Sequence, residues 1–283
     1  MSQLFQTAKD NLLESLKNHS FTKNMIQLVN GFSKNNYTCN FYTEGSINEL
    51  SKKHSSTGLK AYHQNISSFG KNSAEIISNL ECLNFTFDII CFTETRQTSI
   101  DLIELVFQDY HIFLDNPKTA KGGVALLIRK DKFSNITELG PSSGFDLKDK
   151  CDCSKCITEN KWLRFHINNQ PVIVGGIYRH PKGNIDHFNS ALNDIINQIG
   201  DDTLAFIFGD ININLLSNNN EKVGTYINNY LEKNFVPCIT LPTRIRDHSI
   251  TLIDHIFIKT PCKLIQNTLY HALLSQHIQE TTL

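Results

Sequence analysis

Asp210 and Asn212 lie just beyond a continuous apolar run, Leu204 to Phe208, from which Gly209 separates them. Such a run is typical of a strand buried on both faces, and Gly209 would let the backbone turn where the strand ends. If extended geometry continues, both side chains point the same way and present one carboxylate and one amide to a shared ligand. An anionic substrate would need a cation or a proton donor beside this pair.

Polar side chains also follow the other predicted strands. These side chains belong to Gln64 and Asn65, to residues 93–95, to residues 178–180, to Asp254 and His255, and to residues 275–277. Taken singly, each has an ordinary explanation as a turn, a cap or a solvated loop residue. Because α/β proteins build sites at the ends of buried strands, their order along the chain is more informative than any one of them.

The elements that must position these residues follow an alternating pattern from Gly58 onward, which is typical of the α/β class. Strand patterns lie at 59–65, 87–92, 122–128, 162–167, 172–178 and 204–208, with further ones around 236, 253 and 264. Helical spacing occurs at 73–83, at 185–199 and again up to about residue 233. Residues 168–170 predict a hairpin turn between two of the strands.

The chain has 283 residues, of which 40% are hydrophobic, so it is long enough to bury a large core in one catalytic-size domain. Residues 1–57 are rich in Asn, Ser and Lys, with a predicted helix at 2–16. We interpret them as an N-terminal extension with partial disorder. Residues 58–283 form the predicted domain.

The 27 basic and 28 acidic residues exclude a global positive field, so DNA binding would require a local basic face. The sequence has no apolar run of 18 residues and no cationic N-terminal region followed by an apolar stretch. We therefore expect a soluble, intracellular chain without a membrane partner.

The chain has eight cysteines, several of them inside apolar patterns, which predicts free buried thiols in a reducing compartment. Cys151, Cys153 and Cys156 could bind structural zinc if His166 or another cysteine completed a tetrahedron. The paired spacing of zinc motifs is missing, so a reduced loop is the default interpretation and zinc the alternative.

In their order, these residues resemble the endonuclease/exonuclease/phosphatase superfamily, and most closely the endonuclease domain of non-LTR retrotransposons of the jockey and CR1 type. The matching segments are 63–68, 92–96, 121–125, 177–181, 209–212, 241–244 and 249–257, and the resemblance covers roughly residues 58–278. It implies a DNase I-like four-layer sandwich, with two β-sheets packed face to face and helices outside. It also implies phosphodiester cleavage, in particular the nicking of chromosomal DNA, and hence access to the nucleus.

The resemblance implies Mg²⁺ as the cofactor, with Mn²⁺ as an alternative. Glu94 matches the main metal ligand, and Asn65 beside it would position metal or phosphate. Gln276 stands where the family pattern Ser-Asp-His has its carboxylate. A glutamine carbonyl can coordinate Mg²⁺ but supplies no charge.

The remaining catalytic roles are also implied by the resemblance. His277 would contact the scissile phosphate or transfer a proton, while Asp254 would fix its tautomer. Asp210 and Asn212 would orient the attacking water and donate a hydrogen bond to the phosphate. Tyr178 would donate another.

DNA is the expected partner, and four arginines near the predicted cleft could contact its backbone: Arg96, Arg179, Arg244 and Arg246. Ordinary surface arginines are an equally good explanation. No reverse transcriptase segment is found in the chain, and the oligomeric state stays open.

Three functional hypotheses follow. The first is a Mg²⁺-dependent endonuclease. The second is a truncated remnant with weakened or lost catalysis that still binds DNA, because Gln276 is neutral and Leu283 follows His277 closely. The third is a hydrolase of small phosphoesters, since this fold alone does not choose the substrate.

Overall fold

A computed structural model describes residues 59–83, 86–147, 158–217, 221–239, 243–246, 249–261 and 271–274. Its helices are α1 (Phe69–Cys82), α2 (Asp101–Val106), α3 (Ile185–Ile196) and α4 (Glu221–Leu231), and a 3₁₀ turn covers Pro141–Ser143. Its strands are β1 (Lys60–Asn65), β2 (Ile89–Thr93), β3 (Tyr110–Asp115), β4 (Val124–Arg129), β5 (Thr137–Leu139), β6 (Thr158–Ile167), β7 (Gln170–Arg179), β8 (Leu204–Asp210), β9 (Phe235–Pro237), β10 (Arg244–Arg246), β11 (Ser249–Thr251), β12 (Asp254–Lys259) and β13 (His271–Leu274).

These strands form two large mixed sheets and one small hairpin. The first sheet has the order β13-β1-β2-β4-β3, in which β13, β1 and β2 are parallel and β4 is antiparallel to both of its neighbours. The second has the order β5-β6-β7-β8-β12-β9, in which only β7 and β8 are parallel. β10 and β11 form a separate two-stranded hairpin, with no other strand partner among the described residues.

The core has the four layers that the family resemblance implies. Along β2, Ile89 and Cys91 pack into the cluster shared with the second sheet, whereas Ile90 and Phe92 pack toward α1 and α2. This alternation buries both faces of the first sheet, as expected when successive side chains point to opposite sides. On the far side of the second sheet, α3 and α4 contribute residues such as Leu192 to the same hydrophobic cluster, which therefore extends over both faces of that sheet.

The helix α3 begins and packs for identifiable reasons. The Asn184 side chain accepts hydrogen bonds from the backbone N–H groups of Asp186 and His187, which caps the helix. Phe188 and Leu192 lie on its buried face. The predicted helix is confirmed, although it ends at Ile196 rather than at residue 199.

The predicted hairpin between β6 and β7 is confirmed. Asn168 and Asn169 both have positive φ, 47° and 66°, which asparagine tolerates and which matches the twist of a two-residue hairpin. The strand expected around residue 264 lies outside the described residues, as do Cys151, Cys153 and Cys156.

Among the described cysteines, Cys82, Cys91 and Cys238 form no disulfide. Cys91 is buried as predicted, whereas Cys238 is half-buried and Cys82 is exposed. No helix within the described ranges is long and apolar enough to cross a membrane.

Candidate active site

Four polar residues form one row across the second sheet. Strand pairing aligns Glu159 of β6 with Tyr178 of β7, Tyr178 with Asp210 of β8, and Asp210 with Asp254 of β12. Partners in register point to the same face of a sheet. All four are buried, between 0% and 7% exposed, so the row lies inside the molecule at one end of the sheets.

The first sheet completes the cluster with Asn65 and Glu94. Asn65 ends β1, and its Nδ2 donates to Glu94 Oε1 at 3.0 Å and to Asp210 Oδ2 at 2.6 Å. Its Oδ1 accepts from the Ser67 backbone N–H at 3.1 Å. The amide therefore bridges two acids from different sheets. Since Oδ1 is engaged, this geometry favours a bridging role for Asn65 over metal coordination.

The backbone around the cluster is unusually bent. Ser67, Glu94, Arg96 and Asn212 all have φ between 52° and 53°, the left-handed region that non-glycine residues rarely adopt. Conformations of this kind cost about 1–3 kcal/mol each and collect at functional sites. Here they turn the chain sharply after β1, β2 and β8, which places the polar side chains at the ends of the strands.

The loop before β4 supports the Glu94 turn. The backbone N–H groups of Thr95 and Arg96 donate to the carbonyls of Gly123 and Gly122, at 3.3 and 2.9 Å. Gly123 has φ of 96°, and a Cβ there would lie 2.3 Å from Thr95 Oγ1. Only glycine fits at this position without displacing the turn.

Burial and neighbouring charges perturb the pKa of Asp210 and of Asp254. Burial raises the pKa of Asp210 well above its usual range, and the neighbouring charges of Asp254 and Glu94 raise it further. Burial likewise raises the pKa of Asp254 to about 7, although the Thr243 side chain and the charge of Arg244 lower it. Buried carboxylates with elevated pKa are suited to proton transfer near neutral pH or to neutralisation by a cation.

Tyr178 is a hydrogen-bond donor throughout the physiological range. Burial raises the pKa of its phenol, and the negative charges of Glu94, Asp210 and Glu159 raise it further. The protonated hydroxyl can donate to an anionic ligand at the cluster.

The segment after β8 departs from the sequence expectation. The strand continues through Gly209 to Asp210, and the left-handed turn comes at Asn212 instead. Gly209 is required for another reason: a Cβ there would lie 2.4 Å from the carbonyl oxygen of Ile177 on β7. The side chains of Asn212 and Asp210 do not point the same way, because Asn212 Nδ2 donates to the Arg179 carbonyl oxygen at 2.9 Å.

The structure describes the side chains of three of the four arginines, and their environments differ. Arg96 donates to Glu94 Oε2 at 3.1 Å and to Ser67 Oγ at 3.2 Å, beside the cluster. Arg244, in β10, is close enough to lower the pKa of Asp254. Arg246 ends the same strand. Arg179 is only 1% exposed and donates to backbone carbonyls, which does not favour the predicted DNA contact.

Sequence reasoning missed two supporting residues. Thr243 Oγ1 accepts from the backbone N–H groups of Ile253 and Asp254, both at 3.2 Å, which fixes the start of β12. Glu159 accepts from the Lys118 N–H at 2.8 Å and keeps Oε2 without a hydrogen-bond partner among the described residues. Glu159 lies before the predicted strand at 162–167, so no sequence pattern marked it. Gln276 and His277 lie outside the described residues.

The residues present fit a divalent cation. Asp210 Oδ1 and Asp254 Oδ1 are buried, and neither has a hydrogen-bond partner in the described part of the chain. Within that same part, no group of three or more His, Cys, Asp and Glu side chains is arranged to hold a metal ion by itself. Mg²⁺ suits such a site, because it keeps several waters and needs only one or two carboxylates. Glu94, 16% exposed at its side chain, is the most accessible of the three acids.

Comparison with known proteins gives the same architecture. No protein-family model matches the chain, and no curated protein matches its sequence significantly. Among solved structures, D. rerio TDP2 complexed with a single-strand DNA product aligns with a TM-score of 0.51 and 12% identity, over 72% of this chain and 83% of that one. The endonuclease domain of TRAS1, a telomere-specific non-LTR retrotransposon, aligns with a TM-score of 0.51 and 10% identity, over 72% and 84%.

An endonuclease/exonuclease/phosphatase family protein from Bacteroides thetaiotaomicron aligns with a TM-score of 0.50 and 15% identity, over 72% of this chain and 84% of that one. The predicted four-layer sandwich is thereby confirmed. The chain has the same DNase I-like fold as these three solved structures.

Proposed function

We propose that this chain is a divalent-metal-dependent phosphodiester hydrolase that nicks DNA. One observation carries the proposal: Asn65 bridges Glu94 and Asp210 at the end of the two sheets, beside Asp254 and Tyr178. Burial raises the pKa of Asp210 and of Asp254, and the charge of Glu94 adds to both rises, so these acids form a centre that attracts a cation. A donor hydroxyl beside that centre can receive a phosphate oxygen.

Glu94 would hold the cation, together with Gln276 if its carbonyl reaches the site. When bound, Mg²⁺ would neutralise the charge that develops on the phosphate oxygens. Arg96, which is hydrogen-bonded to Glu94, keeps that carboxylate oriented. Asn65 fixes the spacing between Glu94 and Asp210 through its two donated hydrogen bonds.

Asp210 orients the attacking water and takes its proton. Its raised pKa makes it a stronger base than an exposed aspartate, and Oδ1 has no competing partner in the described residues. Tyr178 donates its phenolic proton in a hydrogen bond to the phosphate. The register aligns Tyr178 directly with Asp210 across β7 and β8, so base and donor face the same reacting group.

His277 would protonate the leaving oxygen, with Asp254 accepting its other ring N–H. One observation supports this role for Asp254: its Oδ1 is buried and has no hydrogen-bond partner among the described residues. Asn212 belongs to the turn that holds Asp210, and its amide donates to a carbonyl rather than toward the cluster.

DNA as the substrate rests on the retrotransposon-like segments of the sequence and on Arg96 and Arg244 beside the acids. Two solved structures with this fold point the same way, one titled as a complex with a single-strand DNA product and one as a retrotransposon endonuclease domain. The origin of this chain in a non-LTR retrotransposon is part of the proposal.

The test is nicking of supercoiled plasmid in Mg²⁺ and in EDTA. We expect relaxed circles only with the metal, and a loss of about 100-fold or more in Glu94→Ala and Asp210→Asn. Glu138→Ala, which removes an exposed acid from β5, is the control and should cut normally. Nicking that persists unchanged in both acid variants would refute the assignments.

The second candidate is a remnant that binds DNA without cutting it, which Gln276 favours because a neutral amide replaces a carboxylate. Wild type and Gln276→Asp distinguish the two candidates. Strong gain of nicking in the variant indicates an intact site lacking one charge. Ordinary enzyme rates in the wild type would exclude the remnant.

A further inference from the structure

Arg179 is a buried cation at the end of β7 that the proposed reaction does not use. It is 1% exposed, and its guanidinium donates to three backbone carbonyls. Nε donates to Ile211 at 2.7 Å, Nη1 to Gly183 at 2.8 Å and Nη2 to Asn212 at 3.0 Å. Two of these carbonyls belong to the segment that directly follows Asp210.

The contact between the two segments is reciprocal. Asn212 Nδ2 donates to the carbonyl oxygen of Arg179 at 2.9 Å, so each residue binds the other's backbone. The Ile211 N–H donates to the Ile253 carbonyl at 2.9 Å, which ties the same turn to the segment before β12. The turn from Asp210 to Asn212 is therefore held from both neighbouring strands.

We call these hydrogen bonds between Arg179 and residues 211–212 the clamp. The clamp holds a strained backbone conformation in place. Asn212 has φ of 52°, a conformation that persists only where surrounding contacts determine it. The planar guanidinium provides donors in a fixed fork, which suits carbonyls that lie in different directions. A lysine side chain has a similar length, but its ammonium group concentrates the donors at one point. It therefore cannot reach all three carbonyls in that geometry.

We infer that Arg179 is a positioning residue, which fixes the turn after β8 and thereby the orientation of the Asp210 carboxylate toward the attacking water. The inference rests on the proposed hydrolase function. It differs from a DNA-contact role, because a guanidinium engaged with three carbonyls is not available to phosphate.

Kinetics separate these two roles. Displacing a reacting group by about 1 Å can cost about 100-fold in rate, so Arg179→Met should lower kcat by about that factor. Since the residue does not touch DNA, KM and the salt dependence of DNA binding should stay as in the wild type. Arg179→Lys should also lose most of the rate, although the charge is kept. Arg164→Met, an exposed arginine of β6, is the matched control.

A raised KM with unchanged kcat, a smaller salt slope, or full activity in Arg179→Lys would overturn the inference in favour of phosphate contact. Thermal melts of each variant identify any that fail to fold. If Arg179→Met fails to fold, the lysine variant decides.

A second measurement does not depend on activity and therefore keeps this inference separate from the proposed function. Selective ¹⁵N-asparagine labelling reports the Asn212 side-chain amide, whose signal is assigned by its loss in Asn212→Ser. In Arg179→Lys we expect that signal to shift and its hydrogen exchange to become about tenfold faster, as for one lost hydrogen bond. An unchanged Asn212 signal in the folded lysine variant refutes the clamp, even if the wild type cuts no DNA.

Discussion

Asp254→Asn should stabilise the metal-free protein at alkaline pH while it impairs catalysis. Burial raises the pKa of Asp254 from 3.8 to about 7. That rise is about 3 pH units at about 1.4 kcal/mol each, so ionising this carboxyl in the folded state costs up to about 4 kcal/mol. Asparagine has a similar shape and no charge, so the variant avoids this cost.

The effect has a definite pH dependence. Because the folded-state pKa is raised, the contribution of Asp254 to stability is fully present below about pH 4 and is lost as the pH rises through about 7. The variant should therefore match the wild type near pH 4 and exceed it by up to about 4 kcal/mol at pH 8. Urea unfolding in EDTA, followed by fluorescence at several pH values, measures this difference.

Two controls make the measurement decisive. Asp202→Asn makes the same substitution at an exposed position and should change little at any pH. Mg²⁺ should reduce the advantage of Asp254→Asn, because a bound cation favours ionised carboxylates in the wild type. An advantage that is absent at pH 8, or that is the same at pH 4 and pH 8, would show that the burial argument is wrong.

Three further outcomes are expected. At pH 8, Mg²⁺ at 100 times its Kd should stabilise the wild type by about 2.7 kcal/mol and raise its melting temperature. The melting temperature of Glu94→Gln should not change. Equal shifts in the two proteins would place the metal elsewhere. Gly123→Ala should cost about 1–3 kcal/mol in urea unfolding and slow nicking, because its Cβ meets Thr95, whereas Gly140→Ala has open space and should be neutral; equal stabilities would contradict this. Burial lowers the pKa of His255 from 6.5 to about 4, so the stability present above pH 6.5 should fall by about 3 kcal/mol as the pH drops through about 4. Urea titrations at several pH values measure this loss of stability. If His255→Gln lost as much stability at low pH as the wild type, protonation of His255 would be excluded as the cause.

The strand and helix patterns predicted the α/β class, and the family resemblance implied the four-layer sandwich. The apolar run of β8 is continuous because this strand is buried on both faces. The spacing of α3 is amphipathic because only one face of this helix is buried. The polar residues that end these strands were identifiable for the same reason, since each interrupts an apolar pattern. The structure brings Asn65, Glu94, Tyr178, Asp210 and Asp254 together.

The supporting contacts could not be predicted, because they join residues far apart in the chain. The guanidinium of Arg179 binds carbonyls 32 and 33 positions away, and Glu159 meets a backbone N–H 41 positions away. The left-handed turn at Asn212 was also missed, because glycine is the more obvious turn residue and Gly209 stands just before Asp210. The structure shows a different reason for the glycine at position 209. Glycine is required there by the close approach of β7.

The alignment of Glu159, Tyr178, Asp210 and Asp254 across four strands has a consequence for how the protein acquires its activity. A slip of β8 by one residue would turn Asp210 to the opposite face and bring Gly209 or Ile211 into its place. No short fragment contains the cluster, because its members are drawn from residues 65 to 254. Folds dominated by such distant pairings form slowly. The return of nicking after dilution from denaturant would therefore report correct strand pairing, and should lag behind the recovery of helix signal in circular dichroism.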